Sequence, residues 1–393
     1  MNTLVSQLWA LARPVDGARR WSWCLSVAVP LLPILAIGLA EATGLRALLA
    51  MPLAVMYLLI PALDAWIGTD SRNPAEDVVP ALERDPYYRS LTFVVVPLHF
   101  AVLAGGMAYV VLATHTVLEA LLLTISLGFA GGLAINVGHE LGHKHTGIEK
   151  RLAQLALAIA GYGHFRIEHN VGHHAAVATP EDHASARMGE SVYRFVRREI
   201  PGGLRRGWRL EKARLARRGR RPWSPDNEIL QSWAVTILFQ GALVAWLGLA
   251  ALPWLLLHNA WAWFLLTAVN YIEHYGLLRR RGADGRLEPC RPHHSWNSNH
   301  VVSNLLLFHL QRHSDHHAHA DRRYQSLRHF PEAPQLPTGY MGMIMLAYLP
   351  SVYFRMMDPR LLAQVGGDLD RVNLYPGSEG ELRRRYGSAA SPK

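Results

Sequence analysis

The chain has 393 residues, half of them apolar, and a formal net charge of +10. Length alone would allow two or three soluble domains, but the apolar residues fall in blocks near twenty, the length that crosses roughly 30 Å of hydrocarbon, which excludes that plan. Two cysteines, Cys24 and Cys290, exclude a disulfide framework or a CxxC metal site, and cations that lie beside apolar blocks argue for membrane orientation and against nucleic acid.

The first apolar block runs from Trp21 to about Ala40, behind Arg19 and Arg20. A positive flank and an apolar core also describe a signal peptide, but the block is long, lacks a clear cleavage site and precedes further spans. It is therefore expected to be retained. The second runs from Leu45 to Trp66, with Glu41-Ala-Thr-Gly44 as a tight turn between them. The third runs from Leu91 to Ala113 and the fourth from Val117 to Val137, joined by Thr114-His115-Thr116. The fifth, Ile229 to Leu249, and the sixth, Trp254 to Tyr271, divide near Pro253.

Loops 41–44, 114–116 and 250–253 carry almost no positive charge, whereas segment 141–228 holds seventeen Lys and Arg, including the run Arg214 to Arg221. Such an excess marks the cytoplasmic side. Three weaker stretches, Leu152–Tyr162, Val301–Leu310 and Tyr340–Phe354, are too short to cross and are expected to be buried or interfacial helices. The expected fold is an all-α integral membrane protein with six transmembrane helices and a cytoplasmic helical catalytic head. Its divisions are a cytoplasmic N-terminus (1–20), spans one to four (21–137), a cytoplasmic His-rich segment (138–228), spans five and six (229–272), a second such segment with interfacial helices (273–358), and a polar tail (359–393).

Histidine is the outlier, with 21 residues. His139-Glu-Leu-Gly-His143 closes the fourth span, and two imidazoles at i and i+4 share a helix face and can reach one metal. A helix begun at Val117 rises about 33 Å by His139, placing the pair at the membrane boundary. The same letters match HExxH, in which Glu140 would be the general base of a zinc protease. Glu168-His169-Asn170-Val171-Gly172-His173-His174 supplies three more imidazoles, and His313-Ser-Asp-His316-His317 another three. His274, in Asn270-Tyr-Ile-Glu-His-Tyr-Gly-Leu277, arrives alone at the end of the sixth span. Nine imidazoles exceed the three or four that one zinc needs and suit two metals; ligand type alone leaves iron, copper and zinc open.

At these residues the chain resembles the membrane alkane 1-monooxygenases. HELGHK at 139–144, EHNVGHH at 168–174, NYIEHYGL at 270–277 and LQRHSDHH at 310–317 look like the four signatures of that family, and the likeness extends roughly from the first span to Asp370. HxxxH, HxxxHH and HxxHH alone would fit the wider group of membrane desaturases and hydroxylases; the last two signatures favour alkane hydroxylase. His183 departs from the pattern, which places Pro there. The resemblance implies two non-haem irons, O2 as co-substrate, and ligands at His139, His143, His169, His173, His174, His274, His313, His316 and His317. Glu140, Glu168, Asp182, Glu273 and Asp315 stand where they would accept N–H bonds from ligand imidazoles. Met56 falls where bulk would limit the length of a substrate chain. A linear alkane substrate, a rubredoxin donor with its flavin-dependent reductase, and the bacterial inner membrane are implied with them. The chain itself has no flavin fingerprint and no Cys pair of the kind a fused rubredoxin needs.

Blander roles are expected elsewhere. His99, His115, His258, His309 and His329 read as satisfied core residues, while His145, His164, His293, His294, His300 and His319 read as structural or solvent-facing. The Arg214–Arg221 run reads first as a contact with anionic lipid, and second as a docking surface for an acidic electron carrier. The rival functions are a membrane fatty-acyl desaturase or hydroxylase, an intramembrane zinc protease, and a His-rich metal transporter.

Overall fold

The computed structural model describes residues 17–387 apart from Thr114. Most of the expected 1–20 segment, the first residue of the 114–116 turn and the last six residues of the tail lie outside the described residues. Among the described residues, six helices are long and apolar enough to cross a membrane: Arg20–Thr43, Arg46–Ile67, Pro86–Leu112, Val117–Gly142, Glu228–Leu247 and Ala251–His274. Among the described residues there are isolated bridges but no strand element.

Hydropathy placed the third span five residues late and ended the fourth and sixth too early. The helices continue past the apolar letters because their polar ends are capped or buried. Asp85 accepts from Tyr87 N (2.9 Å) and Pro86 opens the third span, where its missing N–H costs nothing. Thr116 and Glu119 form a reciprocal capping box on the fourth. Asn227 accepts from the amides of Ile229 and Leu230 on the fifth.

The fourth and sixth spans pack closely because glycines line their contact. A Cβ at Gly128 would lie 2.8 Å from Trp261 Cβ, and one at Gly131 would lie 2.7 Å from His258 Nε2. Only hydrogen fits there, so the backbones approach as in other small-residue interfaces. The second span is less regular: Val55–Leu59 forms a π-helical turn that ends two residues before Pro61. A proline ring clashes with the carbonyl four residues back, and widening the turn relieves it. Met56 sits in that turn, buried.

The three weak apolar stretches form short helices, Gly147–Ile159, Val301–Leu306 and Tyr340–Ala347, the last ending just before a new helix at Pro350. A buried carboxylate in the second span, Asp64, receives the amides of Val302 (3.0 Å) and Ser303 (3.1 Å) and the Ser303 hydroxyl. It satisfies orphan donors at the start of the Val301–Leu306 helix. This ties the head to the spans.

Candidate metal centre

Four elements deliver the nine histidines to one place. The fourth span ends with His139 and His143, one helical turn apart. Glu168–His173 is a π-helical turn, continued by His174. The wider turn brings positions i, i+4 and i+5 to one side, so His169, His173 and His174 all face inward. The sixth span ends on His274. The six-residue helix His313–Ala318 supplies His313, His316 and His317.

The rings form two groups. His139, His143, His169 and His316 make one; His173, His274, His313 and His317 make the other, with the ligand atoms of each within 4.8 Å of one another. In the first, His139 Nε2 is 2.9 Å from both His169 Nε2 and His316 Nε2. In the second, His313 Nε2 is 3.1 Å from His274 Nε2 and 3.0 Å from His317 Nε2. His174 stands between them: its Nε2 is 3.1 Å from His169 Nε2, and its ring is 4.4 Å from that of His317.

These contacts fit metal ions. Ring nitrogens about 2.1 Å from a shared cation stand about 3 Å apart when they subtend a right angle. His143 Nε2 and His173 Nε2 are buried and have no hydrogen-bond partner, a cost that a bound cation removes. Burial, followed by neighbouring imidazoles, depresses the pKa of His143, His169, His313, His316 and His317 well below the usual range and holds His174 at about 3. These six rings are therefore neutral with a lone pair free, the form that binds metal. No cysteine lies in either group, which removes iron–sulfur chemistry from this site.

The five expected carboxylates divide. Asp182 Oδ2 is 2.8 Å from His173 Nδ1, the nitrogen left over when Nε2 serves the group, whereas Glu273 Oε2 is 3.3 Å from His313 Nε2, the nitrogen that itself faces the group. Glu140, Glu168 and Asp315 meet other donors in place of imidazoles. Glu140 pairs with Lys144 (3.1 Å) and Tyr324 N, and Asp315 pairs with Arg322 (2.8 Å) and Arg328 N. Glu168 pairs with the guanidinium of Arg206, which also reaches Asp182 Oδ1 (2.6 Å). A buried carboxylate takes the nearest cation because leaving either charge unpaired costs several kcal/mol.

Arg206 was not visible in the sequence as a site residue, because it is one Arg among many on the Val192–Arg217 helix. Burial alone would raise the pKa of Asp182, but His173 and Arg206 outweigh it and keep the carboxyl far below its ordinary range. The same helix carries Glu199, fully buried, which receives Thr267 Oγ1 (2.7 Å) and Asn270 Nδ2 (3.3 Å) from the sixth span. Burial pushes Glu199 up to about 7. The stability tied to its proton is fully present below its unfolded pKa near 4.5 and is lost as pH rises through about 7. Glu199→Gln is expected to lose that pH dependence and to gain up to about 3 kcal/mol over the wild type at pH 8. Thermal unfolding in detergent at pH 5 and pH 8 checks this; parallel shifts at both would contradict it.

The remaining histidines stay outside both groups. His258 Nδ1 is 2.9 Å from Asn259 Oδ1, His309 Nδ1 bonds Tyr324 O (3.0 Å), and His329 Nδ1 is 2.9 Å from Asn299 Nδ2. His293 and His294 lie near Glu288 in the 278–294 loop. Two small, narrow apolar pockets lie between the spans. Met56, Pro52 and Val29 line the first; Asn136, Val269, Leu307 and Met341 line the second; Phe129 and Leu133 line both. Asn136 is one turn before His139 and Val269 five residues before His274, so the pockets follow the two spans toward their histidine ends.

Comparison with known proteins agrees with this geometry. The family model described as fatty acid desaturase matches residues 115–347. The chain is 49% identical to an alkane 1-monooxygenase of Pseudomonas putida over 98% of its own length and 96% of that protein. It is 48% identical to alkane 1-monooxygenase 1 of Alcanivorax borkumensis, over 95% and 92%. A more distant likeness, 27% over 60% of the chain and 63% of the relative, is to the hydroxylase component of a xylene/toluene monooxygenase of Pseudomonas putida. With four histidine-bearing elements meeting where those signatures lie, the chain belongs to the alkane 1-monooxygenase family.

Proposed function

We propose that this chain hydroxylates the terminal carbon of linear alkanes to give primary alcohols. It uses O2, two non-haem irons held by the nine histidines, and electrons from rubredoxin, itself reduced by a flavin-dependent reductase. The observation that carries this reading is the pair of buried imidazole groups at the ends of two spans lined by apolar pockets.

A terminal C–H bond offers no acidic proton, so side chains alone cannot break it; bound iron supplies the O2-dependent redox chemistry. The protein's part is geometry and exclusion. Asp182 holds His173 by its Nδ1, which fixes the ring and leaves Nε2 for metal. Eight of the nine rings would enter as His139, His143, His169 and His316 on one iron and His173, His274, His313 and His317 on the other, with His174 between. An alkane makes no hydrogen bond, so confinement between Phe129, Leu133, Leu265 and Met341 must hold its end.

The histidine face is assigned to the cytoplasm and the chain to the bacterial inner membrane. The exposed Arg194, Arg197, Arg205, Arg209, Lys212 and Arg217 of the head helix support that orientation, and they would attract an acidic electron carrier.

Met56→Trp is expected to shorten the accepted chain. Indole bulk in the first pocket should cut turnover of long alkanes about tenfold or more and spare short ones, because even one methylene in an apolar pocket is worth about 10-fold. Turnover across an octane-to-hexadecane series measures it, and an unchanged profile removes Met56 from the channel. The family's wider membership makes fatty-acyl desaturation the rival. Octane and an acyl substrate offered in parallel, with reduced rubredoxin and O2, separate the two: 1-octanol supports the proposal, and an oxidised acyl chain alone overturns it.

A further inference from the structure

Behind the second histidine group runs a loop, residues 278–298, that no metal-binding signature includes. Its first half is a hairpin: Gly282 N bonds Arg286 O (2.8 Å) and Glu288 N bonds Arg280 O (2.9 Å). Its second half crosses the end of the sixth span and the start of the His313–Ala318 helix. Trp296 N donates to Glu273 O (2.8 Å), and Trp296 Nε1 to Tyr275 O (2.9 Å), on either side of His274. Ser314, next to His313, donates through its hydroxyl to Pro292 O (2.7 Å) and through its amide to Asn297 Oδ1 (2.9 Å). One strap is thus stitched to the carriers of three of the four rings in that group.

The stitch that matters for metal is at His274. Its Nε2 faces His313, and its Nδ1 donates to the backbone carbonyl of His294 (3.3 Å). A carbonyl is only as well placed as the residue that carries it. His294 is buried and held at both ring nitrogens: Nδ1 accepts from Arg291 N (3.0 Å), and Nε2 is 3.2 Å from Glu288 Oε1. Because Nδ1 accepts, the neutral ring carries its proton on Nε2 and donates it to Glu288. Glu288 Oε1 is fixed in turn by Arg280 N (2.8 Å). Glu288, His293 and His294 lie close enough to share a cation, but binding through Nε2 would require the proton on Nδ1, where it would face the Arg291 N–H. The cluster is built as a hydrogen-bonded chain, not as a third metal site.

We propose that Glu288 and His294 are positioning residues for the second metal, acting through the His294 carbonyl on the orientation of His274. This rests on the iron-centre reading above. Partners of ligand imidazoles typically contribute about 10–100-fold in metal affinity or activity. The first group has no contact with this chain of bonds and should not respond.

The test compares wild type with E288A, E288D, E288Q and E332A, all loaded with iron-57 under the same conditions. E288Q keeps an acceptor for His294 Nε2–H and should retain iron content, Mössbauer spectrum and kcat within about threefold. E288A should lose iron from one of two sites, or change the spectrum of one and leave the other alone. Its kcat should fall about 10–100-fold with alkane KM unchanged. E288D, with its carboxylate drawn back by one methylene, should show the same change to a smaller extent and carries the test if E288A does not accumulate. Glu332 lines the same cleft but takes no part in the hydrogen bonds that hold the His294 ring, so E332A should match wild type. Wild-type iron and spectrum in E288A or E288D, or equal losses in E288Q, would overturn the proposal. These readouts do not need alcohol formation, so a preparation that binds iron yet makes no alcohol defeats the proposed function and leaves this comparison decisive.

Discussion

His274→Ala is expected to take bound iron from about two per chain toward one and to lower turnover by at least about 100-fold, beyond what the loss of an outer partner costs. His274 is the only ring its element contributes, and its Nε2 meets His313 in the core of the second group. Removal leaves three rings, His173, His313 and His317, to hold that metal, and leaves a buried void where solvent can enter. The control lies on the same helix: His258 is equally buried but bonds Asn259, not a ligand. His258→Ala should lower thermal stability and keep the iron. Iron analysis and alkane turnover on both proteins check the pair. Full iron and normal rate in His274→Ala would remove it from the ligand set.

Arg206→Met should be the most damaging change outside the histidines. Its guanidinium lies between Glu168 and Asp182, both buried, and Asp182 in turn holds His173. Taking out one partner of a buried ionic group leaves uncompensated charge and typically costs about 3–5 kcal/mol. Two carboxylates are stranded here, so poor accumulation, a lowered melting temperature and loss of iron are expected together. Adding Glu168→Gln should recover part of the stability, because one stranded charge disappears. Recovery of iron should lag behind, since Asp182 would still lack its cation. Thermal unfolding and iron content of the single and double variants measure this. If Arg206→Met melts like wild type, the ion cluster contributes little to the fold.

What could be read from the letters follows from periodicity and chemistry. Six spans were legible because burial in hydrocarbon requires near-continuous apolar runs. Their polar ends were not, since Pro86, Gly142 and His274 are helical for reasons of capping and burial that hydropathy does not register. The nine histidines were legible from spacing and family resemblance. Their meeting on one face followed from the span ends, but the way His169, His173 and His174 all turn inward did not, because it depends on a π-helical turn at Glu168–His173 that no residue type announces. Of the five expected carboxylates, three meet cations in place of imidazoles. Asp182 reaches an imidazole as expected, whereas Glu168 turns to Arg206, and an Arg in a basic helix carries no sign of being buried. Asp64 and Glu199 were missed because a single acid, one inside an apolar run and one behind Arg197 and Arg198, looks incidental, yet both are sealed against backbone or side-chain donors.

The most direct test is iron stoichiometry measured alongside octane hydroxylation on one purified, graded series of iron-loaded samples. The account predicts that 1-octanol formation, with reduced rubredoxin and O2, rises with the second iron and reaches its maximum near two per chain. Full rate at one metal per chain, or the same rate with zinc in place of iron, would contradict it.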